Sequence, residues 1–293
     1  MAGTTTPHAR PSSPSAAASA KSQPGPTRRM AIIGAGTMGR ALAQGILKSG
    51  IVAPDDLYLA SRTVADAHQL AAELGARCTT SEEACRAADV VLLSVKPKDL
   101  GPLLAHLTET GALGRAPLLI SIAAGVAIAA MEAIVGACPV IRAMPNTPCR
   151  VAQGMTVLAP GPHATSDHLL VASEIFAGVG RCLVLDERHL DAVTAVSASG
   201  PAFVYLIIEA LADGGVMCGL TRDVATELVA QMALGAAAMV LTTGRHPAQL
   251  KDDVTTPGGC TIAGLLALED RQVRSALAHA VRTTTHAAAG LSR

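Results

Sequence analysis

Aromatic residues are almost absent from this chain. Its 293 residues include no tryptophan, two tyrosines and two phenylalanines, although half of them are hydrophobic. A core must therefore be built from aliphatic side chains and from closely packed helices. An excess of basic charge is absent too, with 23 Lys and Arg against 23 Asp and Glu. This balance argues against a nucleic-acid partner, which needs a basic face.

Cysteine pairs and long apolar runs are also missing. The seven cysteines are isolated and odd in number, so we expect small reduced residues in the core of a cytoplasmic protein. Neither a disulfide framework nor a zinc site is expected, and we predict no metal. No uninterrupted apolar run reaches the roughly 18 residues of a membrane span, so we predict no membrane insertion.

Residues 1–29 contain no acidic residue and consist largely of Ala, Ser, Thr and Pro. Because such a composition cannot bury a core, we predict a disordered tail. An organelle transit peptide and a low-complexity extension share this composition, whereas a secretory signal would need an apolar segment that is missing here. Cytoplasmic location is the expectation, with organelle targeting by the tail as the alternative.

A dinucleotide fingerprint follows the tail. A short apolar strand from Met30 runs into Gly34-x-Gly36-x-x-Gly39 and then into a helix with apolar residues at helical spacing. This order of strand, glycine turn and helix is what a Rossmann unit requires, since the glycines let the backbone turn tightly and approach a pyrophosphate. A purely structural turn between strand and helix is the alternative.

The second predicted strand ends at Ser61-Arg62, roughly 20 residues beyond the glycines, where an NAD site usually carries an acidic residue. A hydroxyl and a guanidinium suit a 2′-phosphate, because arginine grips phosphate with a planar fork of donors. The sequence therefore favours NADP(H), with NAD(H) as the alternative. A solvated arginine at a strand end is the structural interpretation.

Apolar strands alternate with helices as far as residue 185, which predicts a doubly wound, mostly parallel sheet. Ligands of such sheets bind beyond the carboxyl ends of the strands. We expect residues 94–97, residues 123–125 and Asn146 on this rim, because each follows a predicted strand. Lysine at a strand end is commonly only solvated, and its rim position alone makes Lys96 a candidate.

After Asp186 the pattern changes to long helices. We predict helices over about 187–198, 202–217 and 221–243, with a break at Ser199-Gly200-Pro201, and a last helix from Val273. The predicted organisation is a tail (1–29), a Rossmann domain (30–186) and an all-helical domain (187–293). Apolar helices rich in small residues can pack closely against a second copy, so we expect an obligate oligomer.

Residues 254–261 form a loop with hydroxyl side chains, one proline and two glycines. An apolar helix is predicted to follow directly. The glycines leave backbone N–H groups uncovered, and a helix start adds orphan donors and the positive end of the helix dipole. Such a turn suits a small anion, either a carboxylate or a phosphate. An ordinary capped helix is the alternative.

Residues 30 to about 290 resemble the pyrroline-5-carboxylate reductases. The likeness rests on residues 33–38 (IGAGTM), 94–97 (SVKP), 144–148 (MPNTP), 197–202 (SASGPA), 210–215 (ALADGG) and, above all, 254–262 (VTTPGGCTI). The resemblance implies NAD(P)H-dependent reduction of the ring C=N of 1-pyrroline-5-carboxylate to L-proline, the last step of proline biosynthesis. It also implies a homodimer with interlocked helical domains, often assembled further into a decamer.

The same resemblance implies the residues of the site. Thr261 is the one implied catalytic side chain, which faces the ring nitrogen, orients it and helps to relay its proton. The substrate carboxylate lies on the turn, where the implied substrate-binding residues are Thr256, Gly258, Gly259, Cys260 and Thr261. The implied cofactor-binding residues are Ile33, Gly34, Ala35, Gly36, Thr37, Met38, Ser61, Arg62, Ser94, Val95, Lys96, Pro97 and Asn146.

The chain departs from the family pattern at a few positions. Family members often carry Ala in place of Gly39, and Ala or Thr in place of Cys260; neither change affects the expected function. Ser81-Glu82 stands where some members carry an Asn near the adenosine phosphate, which puts the preference for NADPH in doubt.

Two other classes of protein share part of this pattern. A β-hydroxyacid dehydrogenase shares the glycine fingerprint, but that family has a catalytic lysine on a long helix of its second domain, and residues 187–243 contain no lysine. A non-catalytic NADP-binding sensor would be expected to lose the Pro-Gly-Gly turn, which this chain retains.

Overall fold

The computed structural model describes residues 28–290. The predicted disordered tail lies outside the described residues except for its last two. Arg28 and Arg29 lead directly into the first strand and are ion-paired with Glu174 and Asp89, respectively. These two arginines are therefore held against the sheet by ion pairs.

An eight-stranded sheet forms the first part of the chain, in the order β3-β2-β1-β4-β5-β6-β7-β8. The strands are β1 (Met30–Ile33), β2 (Leu57–Ala60), β3 (Arg77–Cys78), β4 (Val90–Leu93), β5 (Leu118–Ser121), β6 (Val140–Met144), β7 (Gly154–Pro160) and β8 (Gly180–Val184). Neighbouring strands are parallel except β6 and β7, which pair antiparallel. The predicted doubly wound, mostly parallel sheet is confirmed.

Helices cover both faces of the sheet. They are α1 (Thr37–Ser49), α2 (Val64–Leu74), α3 (Ser81–Ala87), α4 (Pro97–Glu109), α5 (Ile128–Val135) and α6 (Ser166–Ala177). Side chains alternate along each strand, so Ala31 and Ile33 join the core beneath α3, α4 and α5, whereas Met30 and Ile32 join the core beneath α1, α2 and α6. Burial on both faces explains why the strands read as continuous apolar runs.

Beyond β8 the chain is helical. A short 3₁₀ turn (Glu187–His189) precedes α7 (Leu190–Val193), a π-helical segment (Thr194–Ala198), α8 (Gly200–Met217), α9 (Arg222–Thr243), α10 (Pro247–Asp253), α11 (Cys260–Asp270) and α12 (Val273–Gly290). The predicted break at Ser199-Gly200-Pro201 is confined to Ser199, which lies between the π-helical segment and α8. Residues 187–217 otherwise form one helical rod. Pro201 lies in the first turn of α8, where a missing N–H breaks no hydrogen bond of the helix. The π-helical segment directly before α8 therefore continues almost without interruption into this helix.

The helical part leaves much apolar surface uncovered in a single chain. Met217 is 89% exposed and Leu206 is 66% exposed. Two stretches, Glu187–Met217 and Arg222–Thr243, are long and apolar enough to cross a membrane by length and composition alone. Small residues let α8 and α9 pack closely, since a Cβ on Gly215 would lie 3.0 Å from the Ala225 Cβ. The outer faces of both helices lack such cover within the described part of the chain.

Candidate active site

The fingerprint turn joins β1 to α1 at the carboxyl edge of the sheet. Gly34 adopts a φ of +112°, and its N–H donates to the Ala60 carbonyl oxygen (2.7 Å) at the end of β2. A Cβ on Gly34 would clash with the Ser94 carbonyl group, and one on Gly39 would clash with the Gly34 carbonyl oxygen. Gly36 instead faces open space. The first and third glycines thus permit close packing, while the second leaves the backbone open to a phosphate.

The start of α1 offers backbone donors to an anion. Gly36 is the N-cap residue, no side chain caps the helix, and its first turn contains no acidic residue. The first N–H groups of α1 and the positive end of its dipole therefore suit a pyrophosphate. Thr37 is exposed, and Ala35 and Met38 are partly exposed. Ile33 is buried, and its carbonyl oxygen accepts the Ser94 N–H (2.8 Å).

Arg62 has an acidic neighbour that the sequence did not indicate. Its side chain is 81% exposed, and Nη1 lies 3.2 Å from Oδ1 of Asp99, in the first turn of α4. This ion pair links the end of β2 to the segment that follows β4. The structure thus brings Ser61-Arg62 and residues 94–97 to one rim.

The segment after β4 supplies the next part of the rim. Ser94 and Val95 are partly exposed, and Pro97 begins α4. Lys96 is the exposed N-cap residue of α4 and has no ion pair within residues 28–290. A cationic side chain at this edge is compatible with a phosphate-bearing ligand, and its contact with the cofactor remains a prediction.

Asn146 follows β6, and its amide is engaged inside the protein. Oδ1 accepts the Met155 N–H (2.9 Å), and Nδ2 donates to the Ser197 carbonyl oxygen (3.2 Å) in the π-helical segment. The contact brings together residues 144–148 and 197–202, two of the segments that carry the family resemblance. The Asn146 side chain therefore links the helical part to the rim. Its contact with the cofactor stays a prediction.

The Pro-Gly-Gly turn connects α10 to α11. Gly258 adopts a φ of +71°, and the Gly259 N–H donates to the Thr256 carbonyl oxygen (3.0 Å). A Cβ on Gly259 would clash with the Thr256 hydroxyl oxygen, so glycine lets this hydroxyl lie against the helix start. The first turn of α11 has no side-chain cap and no acidic residue. The N–H groups of Cys260 and Thr261 can therefore bind an anion.

An arginine–carboxylate fork that sequence reasoning missed braces the segment before this turn. Arg245 contacts both carboxylate oxygens of Asp253, with Nη1–Oδ2 at 2.6 Å and Nη2–Oδ1 at 3.1 Å. The hydrogen bonds from Arg245 lower the pKa of Asp253. Next to the fork, the Thr255 hydroxyl donates to the Lys251 carbonyl oxygen (2.7 Å). The two partners lie at opposite ends of α10, and no periodic pattern links them.

The cysteine side chains and the possible metal ligands are expected to play no part in the chemistry of the site. Burial raises the pKa of Cys85 to about 12 and also raises the pKa of Cys149. Cys218 and Cys260 are exposed, so the expectation that all cysteines are core residues is wrong for these two. In residues 28–290, His, Cys, Asp and Glu side chains form no cluster of three or more that could hold a metal ion.

The predicted site residues form two separate groups within one chain. The rim gathers Gly34, Gly36, Arg62 and Ser94, and the turn gathers residues 256–261. Hydrogen bonds of the turn run only to its own neighbours in the described part of the chain, and the Thr261 hydroxyl has no protein partner there. One chain therefore presents a dinucleotide rim and an anion-binding turn without joining them by a hydrogen bond.

A glycine turn open to phosphate on a doubly wound sheet, followed by a helical part, defines the class as a dinucleotide-dependent oxidoreductase. Residues 29–125 match the family described as NADP oxidoreductase, coenzyme F420-dependent. Residues 187–291 match the family described as pyrroline-5-carboxylate reductase dimerisation.

Individual relatives agree with these matches. The chain is 40% identical to pyrroline-5-carboxylate reductase of Arabidopsis thaliana over 259 residues, covering 88% of this chain and 93% of the relative. It is 42% identical to the Methanosarcina acetivorans enzyme over 256 residues, covering 87% and 94%. The crystal structure of Plasmodium falciparum pyrroline carboxylate reductase with NADP bound matches with a TM-score of 0.82 and 31% identity, covering 91% and 98%. The chain therefore belongs to the pyrroline-5-carboxylate reductase family.

Proposed function

We propose that this chain reduces the ring C=N bond of 1-pyrroline-5-carboxylate to give L-proline. The observation that carries the proposal is the Pro-Gly-Gly turn. It presents uncapped N–H groups of α11 to a carboxylate, beside the hydroxyls of Thr256 and Thr261. The rim of the dinucleotide-binding sheet suits the nicotinamide cofactor that supplies the hydride. The 40% identity to the Arabidopsis thaliana reductase supports the same reaction.

The chemistry explains why so few side chains are needed. A protonated cyclic imine is already a strong electrophile, so its reduction requires neither a metal nor a covalent nucleophile. Bound NADPH supplies the hydride that forms the new C–H bond while the electron pair of C=N passes to nitrogen. The protein holds the carboxylate on the turn, orients the ring and excludes water. Thr261 faces the ring nitrogen and takes part in its proton transfer.

We infer that NADP(H) is the preferred cofactor, with NAD(H) as the weaker alternative. Ser61 and Arg62 supply a hydroxyl and a guanidinium for a 2′-phosphate, and Gly36 leaves the α1 start open to the pyrophosphate. The NADP bound by the Plasmodium relative supports this choice.

We also propose a homodimer with interlocked helical domains, with a decamer as its further assembly. The uncovered apolar faces of α8 and α9 and the dimerisation family that matches residues 187–291 support it. A partner chain over these faces would account for two membrane-length helices without membrane insertion. In such a dimer, the turn of one chain can meet the rim of the other. The proposed location is the cytoplasm, with organelle targeting by residues 1–29 as the alternative. The proposed division is a Rossmann domain over 30–186 and a helical domain over 187–293.

The test is oxidation of NADPH by the purified chain with 1-pyrroline-5-carboxylate, followed by nicotinamide absorbance. We expect Thr261→Ala to lower kcat by about 100-fold, as loss of a proton-transfer group does, with little change in the Kd of NADPH. Thr261→Ser retains the hydroxyl and is the matched control. Absence of substrate-dependent oxidation in the unmodified chain would refute the function, and normal kinetics in Thr261→Ala would refute the role of Thr261.

A further inference from the structure

Arg142 is a charged residue in the middle of a buried strand. It is 4% exposed on β6, and its Nη1 donates to Oε1 of Glu187 at 3.0 Å. Its Nε and Nη2 atoms are buried and have no hydrogen-bond partner within residues 28–290. A half-satisfied buried ion pair is a poor source of stability, because an apolar pair of similar volume would often serve as well. The pair therefore requires another explanation.

Glu187 also contacts the start of α5. The oxygen that accepts from Arg142 also accepts the Ile128 N–H at 2.8 Å. Ile128 is the first residue of α5. Glu187 itself opens the helical part, three residues after β8 ends. One carboxylate thus joins the middle of β6, the start of α5 and the first turn of the rod formed by residues 187–217.

A second polar contact fastens the same rod to the end of the same strand. Asn146, just after β6, donates to the Ser197 carbonyl oxygen in the π-helical segment. Between the two contacts, Leu190 is fully buried in the core beneath α3, α4 and α5. The rod is therefore fixed to the sheet at two points along its first turns, by Glu187 at the middle of β6 and by Ser197 at the rim, and a change in its tilt strains both contacts.

We propose that Glu187 is a positioning residue for hydride transfer, which fixes the rod against the sheet and so sets the separation between nicotinamide and imine. The rod packs on α9, which leads through α10 to the Pro-Gly-Gly turn. A change in the tilt of the rod at Glu187 displaces the Pro-Gly-Gly turn. This holds whether the turn meets the rim of its own chain or the rim of a second copy. The proposal rests on the proposed function for its substrate, whereas the contacts themselves are properties of the fold.

The first experiment compares Glu187→Ala and Glu187→Gln with Asp186→Asn. Asp186 is the exposed neighbouring carboxylate, and it accepts the Arg188 N–H without contacting Arg142. We expect Glu187→Ala to slow single-turnover hydride transfer by about 100-fold, the cost of a displacement of roughly 1 Å. Glu187→Gln should lose less, because its amide oxygen still accepts from both donors. Asp186→Asn should match the unmodified protein.

Binding of NADPH separates positioning from damage to the fold. The rim lies in the sheet part, so the number of NADPH sites and their Kd should stay unchanged in all three variants. If Glu187→Ala loses NADPH sites in proportion to its loss of rate, the residue is only structural and the proposal is overturned. Unchanged hydride transfer in Glu187→Ala also overturns it.

A double variant covers the case in which Glu187→Ala fails to fold. Arg142→Met combined with Glu187→Met removes both charges and leaves no unpaired buried ion, so it should fold with a Tm at least equal to that of Glu187→Ala. Positioning predicts slow hydride transfer in this stable variant. A normal rate would mean that the ion pair served stability alone, and the proposal would fall.

Amide hydrogen exchange tests the contacts independently of the activity. If the unmodified chain does not reduce 1-pyrroline-5-carboxylate, the proposed function fails on its own. The Ile128 amide should still exchange at least about tenfold faster in Glu187→Ala than in Asp186→Asn, because it loses its acceptor. Equal exchange in the two variants would show that Glu187 does not hold the start of α5, whatever the substrate.

Discussion

The Arg62 guanidinium lies 3.2 Å from the Asp99 carboxylate, so the arginine predicted to bind a 2′-phosphate already has an anionic partner. A bound phosphate would share Arg62 with Asp99 and would also meet the negative charge of Asp99. We therefore expect Asp99→Asn to tighten binding of NADPH and to leave binding of NADH unchanged.

The expected gain is about twofold to fivefold in Kd, because exposed ion pairs contribute at most ~1 kcal/mol. Fluorescence titration with both cofactors measures it. Arg62→Ala is the matched control and should weaken NADPH alone. Equal changes for NADPH and NADH in Asp99→Asn would contradict this account of Arg62.

The fingerprint glycines should respond differently to substitution. Gly36 has an ordinary extended conformation and faces open space, so Gly36→Val should fold normally while its side chain blocks the pyrophosphate. Gly34→Ala places a Cβ against Ser94 at a φ of +112° and should cost about 1–3 kcal/mol of unfolding free energy. Thermal unfolding and NADPH titration distinguish the two effects. If the Gly36→Val variant binds NADPH normally, this turn is not part of the NADPH site.

The fork between Arg245 and Asp253 gives the segment before the turn a predictable response to pH. Arg245 lowers the pKa of Asp253 in the folded protein, so the fork stabilises α10 above the ordinary Asp pKa of about 3.9. That contribution is lost as the pH falls through the lower folded value. We expect protection factors of the α10 amides to fall across this acidic window in the unmodified protein.

Asp253→Asn is the control for that measurement. It should show weaker protection of α10 already at neutral pH and little further loss on acidification. It should also raise the KM for the imine without changing the Kd of NADPH, since α10 leads into the turn. Identical protection in the two proteins at neutral pH would mean that the fork does not brace this segment.

The apolar face of α8 allows a test of assembly. Leu206 is 66% exposed in a single chain, and Leu206→Glu should convert the oligomer to monomers because it places a charge in the proposed interface. Sedimentation measures the state, and we expect reductase activity to fall at least about 100-fold. Leu170→Glu, on the 58% exposed leucine of α6, is the matched control. A monomeric variant with full activity would contradict a site shared between chains.

Local signals explain which elements the sequence predicted well. Helix α9 ends at its predicted residue, Thr243, and α12 begins at its predicted residue, Val273. The signals for such bounds lie within the element or next to it, as with Gly244, which ends α9 in a left-handed conformation. The predicted break at Ser199-Gly200-Pro201 is confined to Ser199 for a physical reason. Proline ends a helix only where its missing N–H is needed, and at the start of α8 the π-helical segment continues the rod without it.

Prediction of the functional site shows the same difference between adjacent and distant residues. The glycine turn and the Pro-Gly-Gly turn could be predicted because their geometry is encoded in adjacent residues. The pairs Arg62–Asp99, Arg142–Glu187 and Arg245–Asp253 could not, because each depends on where the fold brings distant side chains. Only Arg142 left a signal in the sequence, as a charged residue inside an otherwise apolar strand.

In the proposed dimer, the uncovered faces of α8 and α9 would make the stability of the chain depend on its concentration. Met217 is 89% exposed in a single chain and would be covered only by another copy. The unfolding free energy of the chain is then inseparable from protein concentration, and its Tm should rise as the protein is concentrated. Dilution alone would loosen the helices that carry the turn, so the amount of protein in the cell helps to determine how much of it is active.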